Sequence, residues 1–208
     1  MDIISNFVVF EGADGSGTTT QLTMLGERFK NTQKPAFFST FEPTDGQIGK
    51  LIRAALKKEV TFQPFTMCYL FAADRNEHLY GDGGILTHAE KGLVASDRYV
   101  LSSLVYQGIE CGDELPQNLN FRFPAPEITF FLDIKPEIAY ARMKDRTSLE
   151  IYEYPDFQKK VYEKYLSVLE IYRKNGGRVE IIDASKNIQE IAEEVWSIIS
   201  QMPIFRSW

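Results

Sequence analysis

The chain has 208 residues, 44% hydrophobic, 13% aromatic and 25% charged. This ordinary globular balance excludes a disordered, collagen-like or coiled-coil chain, and the length can bury a full core without disulfide or metal staples. With 23 Lys+Arg against 29 Asp+Glu the net charge is −6, which argues against a binder of polymeric nucleic acid but leaves room for local basic clusters that grip a few phosphates.

Cys68 and Cys111 lie far apart with no metal-ligand spacing around either, and read as two idle thiols in a reducing compartment. No stretch approaches the roughly 18 to 20 apolar residues that a membrane span needs. The first residues, Met1-Asp2-Ile3-Ile4-Ser5-Asn6, carry no basic region of the kind that opens a signal peptide. A soluble, cytoplasmic protein without a membrane partner is expected.

In chain order, short apolar runs predict strands at Phe7–Phe10, Ala36–Thr40, Gly92–Ser96, Ile128–Ile134 and Val179–Ile182. Amphipathic stretches predict helices near 18–30, 47–58, 64–80, 100–107, 136–146, 155–174 and 187–201. Strands alternating with helices imply right-handed crossovers, and near-continuous apolar strands imply a sheet covered on both faces. The expectation is one α/β domain over 1–208 with a central parallel sheet of five strands. Such sheets bind ligands beyond the C-terminal ends of their strands, so the residues after each strand matter most.

The first strand runs into Gly12-Ala13-Asp14-Gly15-Ser16-Gly17-Thr18-Thr19-Thr20. The phosphate-loop pattern G-x-x-x-x-G-K-[ST] finds Gly12, Gly17 and Thr19 in three of its four fixed places, with Thr18 where the lysine belongs. Glycines let backbone N–H groups converge on an anion, the following helix adds its positive end, and Thr19 can offer a hydroxyl to Mg²⁺. A mobile positive charge is missing, and a glycine-rich turn without a ligand stays open on the loop alone.

The second strand exits at Glu42, where a ligand-facing group is expected, and Asp45 reads as the N-cap of the next helix. Phe71 and Arg75, four apart on one helix face, offer stacking and hydrogen bonds to a flat polar heterocycle; packing plus a surface charge is the bland alternative. The third strand exits at Asp97-Arg98: Asp97 suits hydrated Mg²⁺ and Arg98 a phosphate. Ser103 and Gln107, four apart, can bond a base edge, with Tyr106 adjoining. Arg142 and Arg146 share a basic helix face, and the segment near 142–154 could close as a lid. His78 reads as a helix-end residue without a catalytic role, and the tail from Pro203 as packed or frayed.

Together, Phe10-Glu11-Gly12-Ala13-Asp14-Gly15-Ser16-Gly17, Glu42-Pro43, Leu70-Phe71-Ala72-Ala73-Asp74-Arg75, Asp97-Arg98-Tyr99, Ser102-Ser103, Tyr106-Gln107-Gly108 and Pro124-Ala125-Pro126-Glu127-Ile128-Thr129 resemble the thymidylate kinase family over nearly the whole chain. The resemblance implies a P-loop NTPase-type three-layer sandwich and transfer of the ATP γ-phosphoryl to thymidine 5′-monophosphate (dTMP), with Mg²⁺, in a homodimer. It implies that Phe71 stacks on thymine, that Arg75, Ser103 and Gln107 read the base edge beside Tyr106, that Arg98 holds the acceptor phosphate and that Glu42 lies near the acceptor sugar. Asp14, Arg98 and Arg146 would serve catalysis, residues 12–20 the donor phosphates, Thr19 and Asp97 the metal, and Arg142 the adenine.

Three departures each remove positive charge: Thr18 for the loop lysine, and Phe41 and Ile151 where arginine is common. Arg142, Lys144 or Arg146 could reach in to compensate. A kinase for another nucleotide, or a nucleotide-binding module with little or no turnover, remains the alternative.

Overall fold

The computed structural model describes residues 1–30, 35–143 and 150–206. Five strands, β1 (Ile3–Glu11), β2 (Ala36–Phe41), β3 (Gly92–Asp97), β4 (Ala125–Asp133) and β5 (Val179–Asp183), form one sheet in the order β2-β3-β1-β4-β5. Every pairing is parallel. Helices α1 (Thr18–Lys30), α2 (Gln47–Leu56), α3 (Pro64–Tyr80), α4 (Ile85–Ala89), α5 (Val100–Cys111), α6 (Glu114–Asn120), α7 (Pro136–Met143), α8 (Pro155–Lys174), α9 (Ile188–Ile199) and α10 (Pro203–Arg206) connect or cover it.

The central strand β1 is covered on both faces, which is why Phe7-Val8-Val9-Phe10 is an unbroken apolar run. Val8 and Phe10 point into a core shared with Leu22 and Leu25 of α1 and Ile191 and Val195 of α9. Phe7 and Val9 point the other way, toward Leu79, Ile85 and Tyr99. A third cluster packs Ile52, Val105, Phe131, Val161 and Tyr165 between α2, α5, α8 and β4.

The five predicted strands and seven predicted helices are all present, with adjusted ends, except that the predicted end of the 136–146 helix lies outside the described residues. β1 and β4 begin earlier than their apolar runs, because Ile3 pairs with Ala125 and Ile4 with Pro126 before a register shift. Pro126 is tolerated because β5 pairs with β4 only from Thr129 onward, so no ladder bond is lost there. α5 continues through Gly108 and stops at Gly112, whose φ of 79° suits glycine. The short helices α4, α6 and α10 went unforeseen, since one or two turns carry too little periodicity to read. α10 seats Ile204 and Phe205 on the first core, so the tail is packed as far as Arg206.

Asp45 is not the cap of α2. Gly46 occupies that position, and the Thr44 hydroxyl accepts its N–H at 3.0 Å. Thr44 is held in turn by the Asp74 carboxylate, which accepts its N–H and its hydroxyl at 2.7 Å each. Among the described residues no helix is long and apolar enough to cross a membrane.

Candidate active site

The C-terminal ends of β1, β2 and β3 open into a cavity of about 1250 Å³. Its lining contains residues 14–20, Glu42, Phe71, Arg75, Asp97, Arg98, Ser103, Tyr106, Gln107 and Arg142, bringing together nearly every residue singled out in the sequence. Gly12 and Ala13 do not line it: the Gly12 carbonyl accepts from Arg98 Nη1 at 3.1 Å, and Ala13 is buried in the third cluster. Arg146, Lys144 and part of the segment 142–154 lie outside the described residues.

The loop after β1 is shaped by glycine. Gly15 and Gly17 adopt φ of 83° and 100°, and a Cβ at Gly15 would stand 2.5 Å from the Ala139 carbonyl oxygen. Thr18 opens α1 and is buried, with no charge to offer. Thr19 donates its hydroxyl to Asp97 Oδ2 at 2.5 Å. Asp97 Oδ1 is buried and has no hydrogen-bond partner among the described residues, as does the Ser16 hydroxyl in the same loop. An unsatisfied carboxylate oxygen beside a threonine hydroxyl suits a hydrated hard cation.

Asp14 is held from three sides. Arg98 Nη2 donates to Oδ1 at 2.5 Å, and the Tyr106 hydroxyl and Gln158 Nε2 donate to Oδ2 at 3.0 and 2.7 Å. The Gln158 oxygen accepts the Asp14 N–H at 3.1 Å. Arg98 lies with its guanidinium 5.2 Å from the Tyr106 ring centre. Burial raises the Tyr106 phenol's pKa, keeping it a neutral donor.

The opposite wall comes from α3 and α5. Arg75 is 1% exposed. Its Nε and Nη2 donate to Glu42 Oε2 at 2.9 and 2.6 Å, its Nη1 donates to Asn120 Oδ1, and its Nη2 also faces the Tyr99 carbonyl at 2.8 Å and Ser103 Oγ at 3.1 Å. Both predicted base readers Arg75 and Ser103 are therefore already tied to each other. His78 is more than a helix-end residue. Its Nδ1 stands 3.1 Å from Glu42 Oε1 and its Nε2 2.6 Å from Thr40 Oγ1, so a proton on Nδ1 satisfies the carboxylate while Nε2 accepts from the threonine.

Gln107 is 1% exposed, and neither amide atom has a hydrogen-bond partner among the described residues. The neighbouring Tyr152 hydroxyl donates to Glu110 at 2.6 Å. Phe71 is half-buried on the same wall. At the other end Arg142 donates to the Ala184 carbonyl at 2.9 Å, near Lys186, Asn187 and Ile188.

Several lining residues escaped the sequence reading. Arg53 of α2 donates to the Pro43 carbonyl and lies 5.0 Å from the Phe41 ring centre, which brings a guanidinium beside Phe41. Its buried Nε has no partner among the described residues. Glu150 lines the same wall with its pKa raised by burial, then by Glu153 and Asp14, while Arg53 and Lys57 oppose the shift. Gln158 carried a legible signal: it is the polar member of the buried stripe 158, 161, 165, 168, 172 on α8. Arg53 had none beyond being a cation on a helix.

A glycine-shaped loop between a central parallel strand and a helix, at the switch point of a 2-3-1-4-5 sheet, places the chain among the P-loop phosphotransferases. The sequence profile of the family described as thymidylate kinase matches residues 10–195. A relative from Treponema pallidum (strain Nichols) that carries the thymidylate kinase name is 42% identical over 199 residues, covering 94% of this chain and 95% of the relative. Archaeal proteins with the same name, from Pyrobaculum aerophilum and Methanocaldococcus jannaschii, are 36% and 35% identical; they cover 96% and 95% of this chain and 99% and 97% of their own lengths. The chain belongs to the thymidylate kinase family.

Proposed function

We infer that the two nucleotides meet in this cavity, with ATP phosphates on the loop after β1 and dTMP against the α3–α5 wall. The reaction is the family's: transfer of the ATP γ-phosphoryl to dTMP, giving the diphosphate and ADP. The observation that carries the acceptor assignment is the Gln107 amide, buried and unpaired on the wall that also holds Phe71, Arg75 and Ser103. A donor and an acceptor on one amide match the edge of a pyrimidine that presents both N–H and carbonyl groups.

The remaining roles follow from chemistry and place. Phe71 stacks on the base. Arg75, locked by Glu42, contributes more by shaping the wall than by reaching out. Arg98 and Arg53 hold the acceptor phosphate, with Asp14 orienting Arg98. Arg142 covers the adenine side. Residues 14–20 cradle the donor phosphates through backbone N–H groups. Thr19 and Asp97 would hold Mg²⁺, which when bound neutralises charge on the transferring phosphoryl group. The chain's own part is in-line positioning and fixed positive charge. Arg142, Lys144 or Arg146, from a lid near 142–154, would supply the charge that Thr18 lacks. A single catalytic domain, a cytoplasmic location and a homodimer complete the proposal; the non-catalytic alternative has only Thr18 behind it.

ADP production by the purified protein with ATP, Mg²⁺ and dTMP tests the reading, with uridine and cytidine monophosphates in parallel. Turnover with dTMP well above both others is expected. Equal turnover with cytidine monophosphate would overturn the reading of this wall as selective for thymine.

A further inference from the structure

Glu11, the last residue of β1, has no part in the roles above. It is 0% exposed, yet four donors converge on its carboxylate. Oε1 accepts the Tyr99 N–H at 2.9 Å and the Ser102 N–H at 3.2 Å. Oε2 accepts the Ser102 hydroxyl at 2.6 Å and the Tyr165 hydroxyl at 2.9 Å. A carboxylate buried inside a strand end is costly unless its bonds do something that neutral residues could not.

Its partners show what that is. α5 begins at Val100, so Tyr99 is its N-cap and Ser102 its third residue. Tyrosine has no side-chain acceptor placed for capping, and Tyr99 makes no such bond. Glu11 supplies the missing cap from a neighbouring strand, setting its carboxylate oxygens at the positive end of the helix; burial raises its pKa, while Ser102, Arg98 and Tyr165 oppose that shift. The same contacts pin Arg98. This residue has φ of 72°, a left-handed backbone that arginine adopts only under constraint. Its own N–H is held by the Phe10 carbonyl at 2.9 Å, and the next N–H along the chain by Glu11. Its side chain is reached as well: Arg98 Nη1 donates to Ser102 Oγ at 3.2 Å and faces the Tyr165 hydroxyl at 3.5 Å, the two hydroxyls that donate to Glu11.

We propose that Glu11 is a positioning residue for the acceptor phosphate. It caps α5 from β1, holds the left-handed turn at Arg98 and, through Ser102 and Tyr165, aims the Arg98 guanidinium. The inference rests on the reading of Arg98 as the acceptor-phosphate ligand. Ser103 and Gln107 ride on the same helix, so the α5 cap also sets where the base edge is read.

The test is steady-state kinetics, with separate KM values for dTMP and ATP, on Glu11→Gln, Glu11→Ala, Tyr165→Phe and Arg98→Ala. In Glu11→Gln the amide oxygen can still accept both backbone N–H groups, while the oxygen that accepts from Ser102 and Tyr165 is replaced by an NH2 donor. The dTMP KM should rise about 10-fold in Glu11→Gln, more in Glu11→Ala and about 3-fold in Tyr165→Phe, with the ATP KM within about 2-fold of the parent throughout. Should Glu11→Ala fail to fold, Glu11→Gln and Tyr165→Phe decide alone. Parental dTMP KM in both, beside a raised value in Arg98→Ala, overturns the role of Glu11 and leaves the acceptor site standing. An equal rise for both substrates reduces Glu11 to general structure and also overturns the proposal. An unchanged dTMP KM in Arg98→Ala removes the acceptor reading itself, and the inference with it.

Discussion

The two ends of the cavity are built differently. On the α3–α5 wall the polar groups are largely spent on one another: Arg75 is shared among Glu42, Asn120, Ser103 and the Tyr99 carbonyl, and Glu42 is also bound by His78. On the loop after β1, Ser16 Oγ and Asp97 Oδ1 are buried without partners among the described residues, and Thr18 stands where a lysine would bring charge. A saturated buried network resists rearrangement, because breaking any bond leaves a charge unpaired in a low-dielectric interior. Unsatisfied atoms instead leave bonding capacity for a ligand. On the proposed assignment the acceptor wall is preformed for selection, with the Gln107 amide as its unpaired group, while the loop would depend on its ligands and on cations from elsewhere to complete its field.

The contrast breaks first at Arg98, whose guanidinium is tied to Asp14 of the loop after β1. Arg98→Ala should lower kcat/KM for dTMP by about 10³, the size expected for a preorganised charged donor; a loss below tenfold would mean that Arg53 carries the phosphate alone. Stability separates the two ends next. Glu42→Ala strands Arg75 in the interior and should cost about 3–5 kcal/mol in urea unfolding. Asp97→Asn should slow turnover by about 100-fold yet change stability by less than about 1 kcal/mol, because the oxygen it alters already lacks a partner. Comparable destabilisation in both variants would erase the distinction.

Two smaller effects sharpen it. Gln107→Ala should raise the dTMP KM about 10-fold, visible as loss of preference over cytidine monophosphate. Thr18→Lys should raise kcat tenfold or less, and Arg146→Ala should cost less in that background than in the parent; additive effects would rule Arg146 out as the substitute.

The smallest effect reports on the wall's rigidity. Burial pushes the Cys68 thiol on α3 up to about 12, assisted by Cys111. At pH 8 its thiolate should be about 10³ scarcer than in the unfolded chain, so alkylation should be slow and slower still with dTMP bound. Since the folded state keeps this proton where the unfolded state has lost it, the contribution to stability falls as pH rises past the unfolded value of 9.0. Rapid labelling of Cys68 at pH 8 would show that the wall opens readily.

Much of the molecule was legible because its signals are local. Apolar runs gave five strands and the alternation gave a parallel sheet; Gly12, Gly17 and Thr19 gave the loop, whose left-handed backbone at Gly15 and Gly17 favours glycine. Phe71 and Arg75, or Ser103 and Gln107, share a face through helix spacing alone. What the sequence could not supply is pairing across the chain. Nothing local marks Glu11 as the cap of a helix 89 residues later, or His78 as the partner of Glu42, or Gln158 as the clamp on Asp14. It also could not tell that Arg75 is sealed by the wall it was expected to reach from. The sequence determined which residues are candidates for the chemistry, because residue type and short-range periodicity suffice for that. Only the tertiary structure decided which of them are spent on each other and which remain available to a nucleotide, because burial and long-range hydrogen bonds exist only once the strands have brought their ends together.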